Sequence, residues 1–404
     1  MHQHMRRTYL QLAGVVVVAS LAACGAPIPG ESVSTSDEPL IGDALSGLTA
    51  VQLAEFSDGK NQFVELETAD RGLGPAFNDV SCGSCHTAGG IGGESARLVT
   101  RVGKITSGAF NPLVNEGGEL LQANGVGRAV AGCTFLGEVV PADATVVVHR
   151  RTTALFGLGF VDVTTDDTLE DLAASEPVAI RGRVNKVFNI SKNTVTVGKF
   201  GWKDQNPTLF QFSGDAYINE MGFTSPQFPN ENLPQGNAGT LAACDTVLGL
   251  EDDGADVAAF NSFMRLLAPP SRGSSNNSVR AGDQLFTQLG CDGCHTRTLK
   301  TSNSSVAALA FKTYHPFSDF LLHDMGTLGD GIPDQGLASA REMRTAPLWG
   351  LRFFDQTALL HDGRAHSLTD AVLQHDGQGA VASKAFAALP SSDRNDLFAF
   401  LNSL

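Results

Sequence analysis

Positive charge is in short supply in this chain. Lys and Arg together number 28 against 43 Asp and Glu, a formal net charge of −15 over 404 residues. Nucleic acids select basic surfaces, so a nucleic-acid partner is excluded. The same imbalance suits a basic soluble partner, whose docking rate electrostatic steering raises by roughly 10–10³-fold. Apolar length is short too: the run from Leu12 to Leu21 stops before the about 20 residues that a membrane helix needs. Wholesale disorder is ruled out, because hydrophobic residues make up 42% of the chain and suffice for a packed core. At about 150 residues per domain, the length points to two or three domains.

The N-terminus has the build of an address. Arg6 and Arg7 precede the apolar run, as in a secretory leader spanning residues 1–23. The run closes on Leu21-Ala22-Ala23-Cys24, which resembles a bacterial lipobox and implies cleavage before Cys24 and lipidation of its thiol. Stable anchoring takes more than one acyl chain. Residues 24–46 are rich in Gly, Pro, Ser and acids and suit a flexible tether. Gly25 and Ala26 follow Cys24 where an inner-membrane retention Asp would stand. The expected location is therefore the periplasm, lipid-anchored, with the outer membrane favoured.

Seven cysteines are present, and four fall in two motifs: Cys82-Gly83-Ser84-Cys85-His86 and Cys291-Asp292-Gly293-Cys294-His295. C-x-x-C-H is the attachment pattern of a c-type haem. Two thiols add to the two vinyl groups of one porphyrin, and the next imidazole reaches the iron as an axial ligand. Two such motifs predict two covalently bound haem c groups, with His86 and His295 on the irons. Two rival readings exist. Four thiolates from two C-x-x-C pairs can hold zinc, although nothing then requires the His after each pair. A thioredoxin-like dithiol needs a βαβ context, and neither motif has one. Cys133 and Cys244 are left over; in an oxidising compartment they can pair, or they are two buried free thiols.

Before the second motif, Val279, Gly282, Leu285, Phe286 and Leu289 recur at helical spacing. At the chain end, Ser391 or Ser392 can cap a helix with Leu397, Phe400, Leu401 and Leu404 on one face. Such a pair of helices crossing beside the haem motif is the cytochrome c core arrangement. Upstream of Cys82, Leu48, Val51, Leu53, Phe56 and Phe63 suggest a less regular leading helix. Residues 97–250 are too long for a bare loop and include strand-like runs at Ala144–His149 and Thr194–Gly198. Residues 268–278 form a linker. The fold expected is mainly α: two cytochrome c-like haem domains, residues 47–270 and 271–404, with an irregular, partly β insertion in the first.

Several further strings then stand out in order: GLGPAFN from Gly72 to Asn78, Arg151-Thr152 followed by LFGLG from Leu155, FGWK from Phe200, EMG from Glu220, LLHDMG from Leu321, RTAPLWG from Arg344 and LHDGRA from Leu360. Together with the haem motifs they resemble the bacterial di-haem oxidoreductase family, peroxidase-like proteins sometimes labelled thiol oxidoreductases and related to di-haem cytochrome c peroxidase. The label reflects the cysteine pairs and is no sign of thiol chemistry.

The resemblance implies roles for single residues. In the peroxidase relatives an H-D-G motif precedes the distal ligand, often Met, by fourteen residues; from His361 that count reaches His375. Ser367 and Asp370 make a capping-box-like helix start, and Leu368, Ala371, Val372 and His375 share a helical face. His375 would give the second haem bis-His coordination and a lower potential. No His follows the first motif until His149, so the first iron is expected to be open or weakly ligated, with Met221, Met325 and His149 as fallback ligands. His361 and Arg364 are candidates for propionate or substrate contacts, or simply build a turn.

The stretch from Phe200 to Gly222 resembles the peroxidase segment that assigns Trp202 as the electron bridge between haems. It assigns Glu220 as the acid-base group that moves a proton between peroxide oxygens, work a buried carboxylate can do near neutral pH. The spacing is shorter than in the peroxidases, and their intervening glutamine falls near Gln211 or Phe212. A calcium site is not favoured: the run before Gly182-Arg183-Val184-Asn185 holds one carboxylate, Glu176, too few for a hard cation. Asp252, Asp253 and Asp256 suit a solvated helix start. The expected activity takes electrons from a small redox donor protein or a quinol-linked chain. It delivers them through Trp202 to a small oxidant such as hydrogen peroxide. A membrane-surface electron carrier and an oxygenase on the same scaffold are the alternatives.

Overall fold

A computed structural model describes residues 39–404. The leader with Arg6 and Arg7, the lipidation candidate Cys24 and the tether up to residue 38 lie outside the described residues. Among the described residues no helix is long and apolar enough to cross a membrane.

Helix α1 (Ala50–Val64) opens on a full capping box, with Thr49 accepting from the Gln52 amide and the Gln52 side chain accepting from the Thr49 amide. Its apolar face is narrower than expected, since Phe56 and Phe63 are buried while Val51 and Leu53 are exposed. Short helices α2 (Leu158–Val163), α3 (Asp166–Ser175), α4 (Leu209–Ala216) and α5 (Ala238–Cys244) follow. Helix α6 (Ala255–Leu266) starts at Asp252, whose carboxylate accepts from the amides of Gly254, Asp256 and Val257. That carboxylate is buried, not solvated as expected, because it satisfies the open end of a core helix. Helix α7 (Asn277–Gln288) is capped by Asn276, and α8 (Leu368–Leu373), α9 (Ala380–Ala387) and α10 (Ser391–Leu401) complete the set. The expected serine cap on α10 is absent: the helix begins at Ser391 itself, after Pro390, and no side chain caps it. The proline at that position already holds the φ that a helix start requires.

Two helix pairs organise the core, and they are built alike. In α1, Gly59 faces α6 so closely that a Cβ there would lie 2.3 Å from the Ala259 carbonyl oxygen. In α7, Gly282 faces α10, and a Cβ would lie 1.9 Å from the Asp396 carbonyl oxygen. Four residues after each glycine comes a phenylalanine, Phe63 or Phe286, on the same helical face. Phe63 packs on Phe263 at 4.8 Å between ring centres, and Phe286 on Phe400 at 5.2 Å. Each phenylalanine also reaches the histidine of its own motif, Phe63 to His86 at 5.8 Å and Phe286 to His295 at 6.3 Å.

Helix makes up 35% and strand 15%, and the longer strands fall between residues 95 and 197, largely in the stretch expected to be partly β. The strand Ser95–Thr106 pairs antiparallel with Ala109–Asn111, Leu120–Leu121 and Val146–Thr152. The last begins two residues later than the run predicted from Ala144, and its β-branched stretch of Val146–Val148 suits a pleated surface. Lys186–Asn189 and Thr194–Val197 form a separate hairpin. Cys133 and Cys244 are joined in a disulfide across 111 residues of chain, which ties the insertion to α5.

Because a side chain at residue 282 has nowhere to go, Gly282→Ala should cost about 1–3 kcal/mol or more by forcing α7 and α10 apart. Denaturant unfolding of the haem-loaded protein measures it; an unchanged midpoint would show that the crossing is not tight.

Candidate functional site

Both motif histidines are half-buried and committed at one ring nitrogen. His86 donates from Nδ1 to the Gly93 carbonyl at 3.2 Å, and His295 from Nδ1 to the Phe317 carbonyl at 2.9 Å. A carbonyl can only accept, so the proton sits on Nδ1 and the Nε2 lone pair is left free. Burial draws each pKa down to about 4, for His295 with help from the nearby His375. Both rings are therefore neutral, the form that binds a metal. The four motif thiols are free: burial pushes Cys82 and Cys291 up to about 12 and Cys85 up to about 11, and it raises Cys294 as well.

The two C-x-x-C pairs do not converge. Among the described residues, the groups of three or more ligands close enough to share a cation are Cys294–Asp319–His323 and Glu231–Asp245–Glu251. Neither combines the two pairs, so the four-thiolate zinc reading falls.

His375 lies across from His295. Ser367 starts α8 by accepting from the Asp370 amide at 3.0 Å. The helix stops at Leu373, so His375 falls just past it and not within it. Its Nδ1 nevertheless donates to the Ala371 carbonyl at 2.7 Å, one helical turn back, which again frees Nε2. Burial lowers its pKa too. The His295 and His375 ring centres are 6.5 Å apart. Two metal–imidazole bonds of about 2.0–2.1 Å, plus the reach from nitrogen to ring centre on each side, come to roughly 6.4 Å. The pair thus fits one iron between them. Both rings open on a cavity of about 370 Å³ that also receives Cys291 and Cys294 and is walled by Phe286, Leu289, Val372 and Leu397. Apolar walls with a few polar groups are what a flat macrocycle requires.

The same cavity extends to Trp202, Arg151, Thr153 and His361. Trp202 Nε1 donates to the Arg151 carbonyl at 2.8 Å, and its ring stands edge-on to His361 at 6.1 Å. Two residues beyond Arg151, the Thr153 backbone lies near enough to the His86 ring to raise its pKa. Trp202 therefore faces the cavity of the second motif while its indole is tied to the strand that ends near His86. Arg151 is fixed by a buried ion pair with Glu94. Arg364 does not join the cavity; it folds onto Asp362 at the surface.

Around the first motif, apolar packing on Cys82 is joined by an acid. Glu220 lies on a π-helical turn, Tyr217–Met221, that continues α4, a distortion common at functional sites. Its Oε2 accepts from Asn78 Nδ2 at 2.7 Å, and its carbonyl accepts from the Asn78 amide at 2.7 Å. Burial raises the Glu220 pKa, and its charge reaches both Cys82 and Cys85. The glutamine expected near 211 is elsewhere: Gln211 is bound to Ile190 and Phe188 on the hairpin. Gln122 reaches the same turn, donating to the Asn219 carbonyl at 3.0 Å, with its own backbone amide held by Glu138. No spacing marked Gln122, because it arrives from an irregular part of the insertion. The fallback ligands divide. Met325 lines the second cavity, not the first site, Met221 is buried in the main core, and His149 is exposed beside Thr100. Among the described residues no imidazole faces His86.

Residues 138–404 match the family described as "Di-haem oxidoreductase, putative peroxidase". The chain belongs to this di-haem oxidoreductase family. The match takes in Trp202, Glu220, the second haem motif and His375, and it begins after the first motif. No curated protein matches. Among solved structures, a Kuenenia stuttgartiensis hydrazine synthase chain is 16% identical with a TM-score of 0.40, over 97% of this chain and 100% of that one. A MauG-like protein associated with microbial copper homeostasis is 14% identical with a TM-score of 0.40, over 91% and 92%. Neither likeness is close enough to fix a shared fold.

A buried charged group that the sequence did not announce lies against the second motif in this di-haem oxidoreductase. His323 Nε2 is 3.0 Å from Asp319 Oδ2, and its Nδ1 is 3.6 Å from Cys294 Sγ. Burial pulls its pKa down, but Asp319 and Cys294 push it up to about 11. Close by, burial and the Asp319 charge push Glu176 from 4.5 up to about 7. A folded pKa above the unfolded one means that the stability Glu176 lends below its unfolded pKa is lost as pH rises through 7. Glu176→Gln should match the wild type near pH 5 and melt higher near pH 8. Thermal melts across that range test it, and a gap that fails to widen with pH rejects the assignment.

Proposed function

We propose that the protein is an exported di-haem c-type cytochrome that reduces a small oxidant such as hydrogen peroxide. The observation that carries this reading is the difference between the two histidines. His295 has His375 opposite it at ligand distance, while His86 has no imidazole opposite and an acid, Glu220, close to its motif. Fully ligated haem passes electrons, and an open position lets small molecules bind.

In this reading Cys82, Cys85 and His86 hold the first haem, and Cys291, Cys294, His295 and His375 hold the second. Bound iron supplies the redox chemistry and, at the first site, a position for peroxide. The protein does the rest. The Gly93, Phe317 and Ala371 carbonyls fix the imidazole tautomers. Trp202 bridges the second cavity and the strand at His86, and so carries electrons inward from a small donor protein or a quinol-linked chain. Glu220, with its pKa raised by burial, holds the proton that leaves one peroxide oxygen and returns it to the other. Asn78 keeps that carboxylate in place. The Cys133–Cys244 disulfide supports a location in an oxidising compartment, consistent with a periplasmic protein anchored through Cys24.

Glu220→Gln should lower peroxide turnover by about 10²-fold or more while haem content stays intact. Steady-state kinetics with a chemical electron donor measure it, and unaltered turnover removes Glu220 from the mechanism. His375→Ala should convert the second haem from low to high spin in EPR and absorption without loss of covalent haem. If the low-spin signal persists, another residue is the ligand.

A further inference from the structure

Tyrosine is rare here, with three in the whole chain. Tyr9 lies outside the described residues. Tyr314 is buried, and its hydroxyl shares a 2.7 Å hydrogen bond with Thr164 Oγ1, a neutral partner that is no base. Tyr217 differs. It is 1% exposed, yet its hydroxyl donates to Asp256 Oδ2 at 3.1 Å, with Glu67 Oε1 at 3.5 Å. Two carboxylates around one buried phenol are costly to assemble. A phenylalanine would keep the 4.4 Å stack on Phe223.

An unbroken row of rings runs from this phenol to the first proximal histidine. Tyr217 stands edge-on to Phe260 at 5.0 Å, Phe260 to Phe63 at 6.3 Å, and Phe63 reaches His86 at 5.8 Å. We propose that Tyr217 is an oxidisable residue of the first haem unit, joined to His86 through Phe260 and Phe63 and facing Asp256 as the acceptor of its proton. This rests on the peroxidase reading above.

A buried phenol can give up an electron only if its proton leaves as well, since a phenol cation is a strong acid. The step therefore has two halves. One electron passes from Tyr217 to the first haem site after hydrogen peroxide has oxidised that site. The O–H proton passes to Asp256, leaving a neutral tyrosyl radical and a carboxylic acid. Peroxide takes up two electrons and two protons to give two waters. Tyr217 supplies one of those electrons when no external donor is present, and the haem pair supplies the other. Burial raises the pKa of both Asp256 and Glu67, which makes each a stronger base than a surface carboxylate. Asp256 is only partly buried, so the proton can go on to solvent. An oxidising equivalent left without a donor is in this way held on a packed ring instead of attacking the haem.

The test uses the haem-loaded full chain, freeze-quenched after one equivalent of hydrogen peroxide without reductant, and read by EPR beside the Soret band. The expected result is a radical whose hyperfine pattern narrows when the protein is made with ring- and methylene-deuterated tyrosine. Tyr217→Phe should lose that signal while its Soret band still responds to peroxide. Asp256→Asn should lower its yield about tenfold, as loss of a positioned proton acceptor does. A Soret response with no radical, a radical unaffected by the label, or an unchanged radical in Tyr217→Phe overturns the proposal and leaves the peroxidase reading standing. A Soret band that ignores peroxide overturns the peroxidase reading, and the tyrosine's role with it. The labelled wild-type protein decides the matter even if a variant folds poorly.

Discussion

A backbone carbonyl placed against Nδ1 is the contact on which the chemistry of this chain turns. Gly93, Phe317 and Ala371 each supply one, to His86, His295 and His375. A histidine buried without such a partner would bury an unsatisfied donor or shift to the other tautomer, and either would remove the nitrogen that has to face a metal. The carbonyls come from three different kinds of backbone: a Gly-rich loop after the first motif, an irregular segment after the second, and the last turn of a short helix. Their common effect is to make local chain path, and not any side chain, set the direction of three imidazoles.

Those imidazoles are kept in place by two copies of one packing device. A glycine lets a leading helix approach its partner to backbone contact, and a phenylalanine one turn later fills the space between the partner helix and the proximal histidine. Only glycine permits the approach, because the partner carbonyl occupies the space a Cβ would need. The copies differ in what lies beyond the histidine. Apolar walls and a second imidazole close the space at His295. A carboxylate held by an asparagine lies near the motif of His86. The first arrangement favours electron exchange with little reorganisation, and the second favours reactions in which protons move.

The sequence announced the parts that depend on close spacing. Both motifs, the separate apolar faces of α7 and α10 and the helix start at Ser367 each involve residues within about one to three helical turns of each other, where periodicity is informative; His375 was reached through the resemblance, by its count from His361. Trp202 and Glu220 were found through resemblance, and the structure puts them at the second cavity and beside the first motif. What could not be read depends on distant chain segments meeting. Gln122 reaches the Asn219 carbonyl from 97 residues away, and buried Arg150 meets Asp330 across 180. Gly59 gave no signal because its partner α6 lies beyond the whole insertion. Gln211 was misplaced for the same reason: a shortened segment let the hairpin, not the acid, capture its amide.

The insertion also explains how the two centres can be coupled without a direct contact between their histidines. Its strand Val146–Thr152 runs into Thr153, whose backbone lies near the His86 ring, and the Arg151 carbonyl on that strand accepts a hydrogen bond from the Trp202 indole. Arg151 is in turn pinned by Glu94, the residue next to the Gly93 carbonyl that orients His86. A movement of the strand would shift the indole and the proximal imidazole together. Burial of the Glu94–Arg151 pair makes such a movement expensive, since separating the two would leave each charge unpaired inside the protein. The ion pair therefore fixes the distance between the Trp202 indole and the His86 ring more than it adds stability.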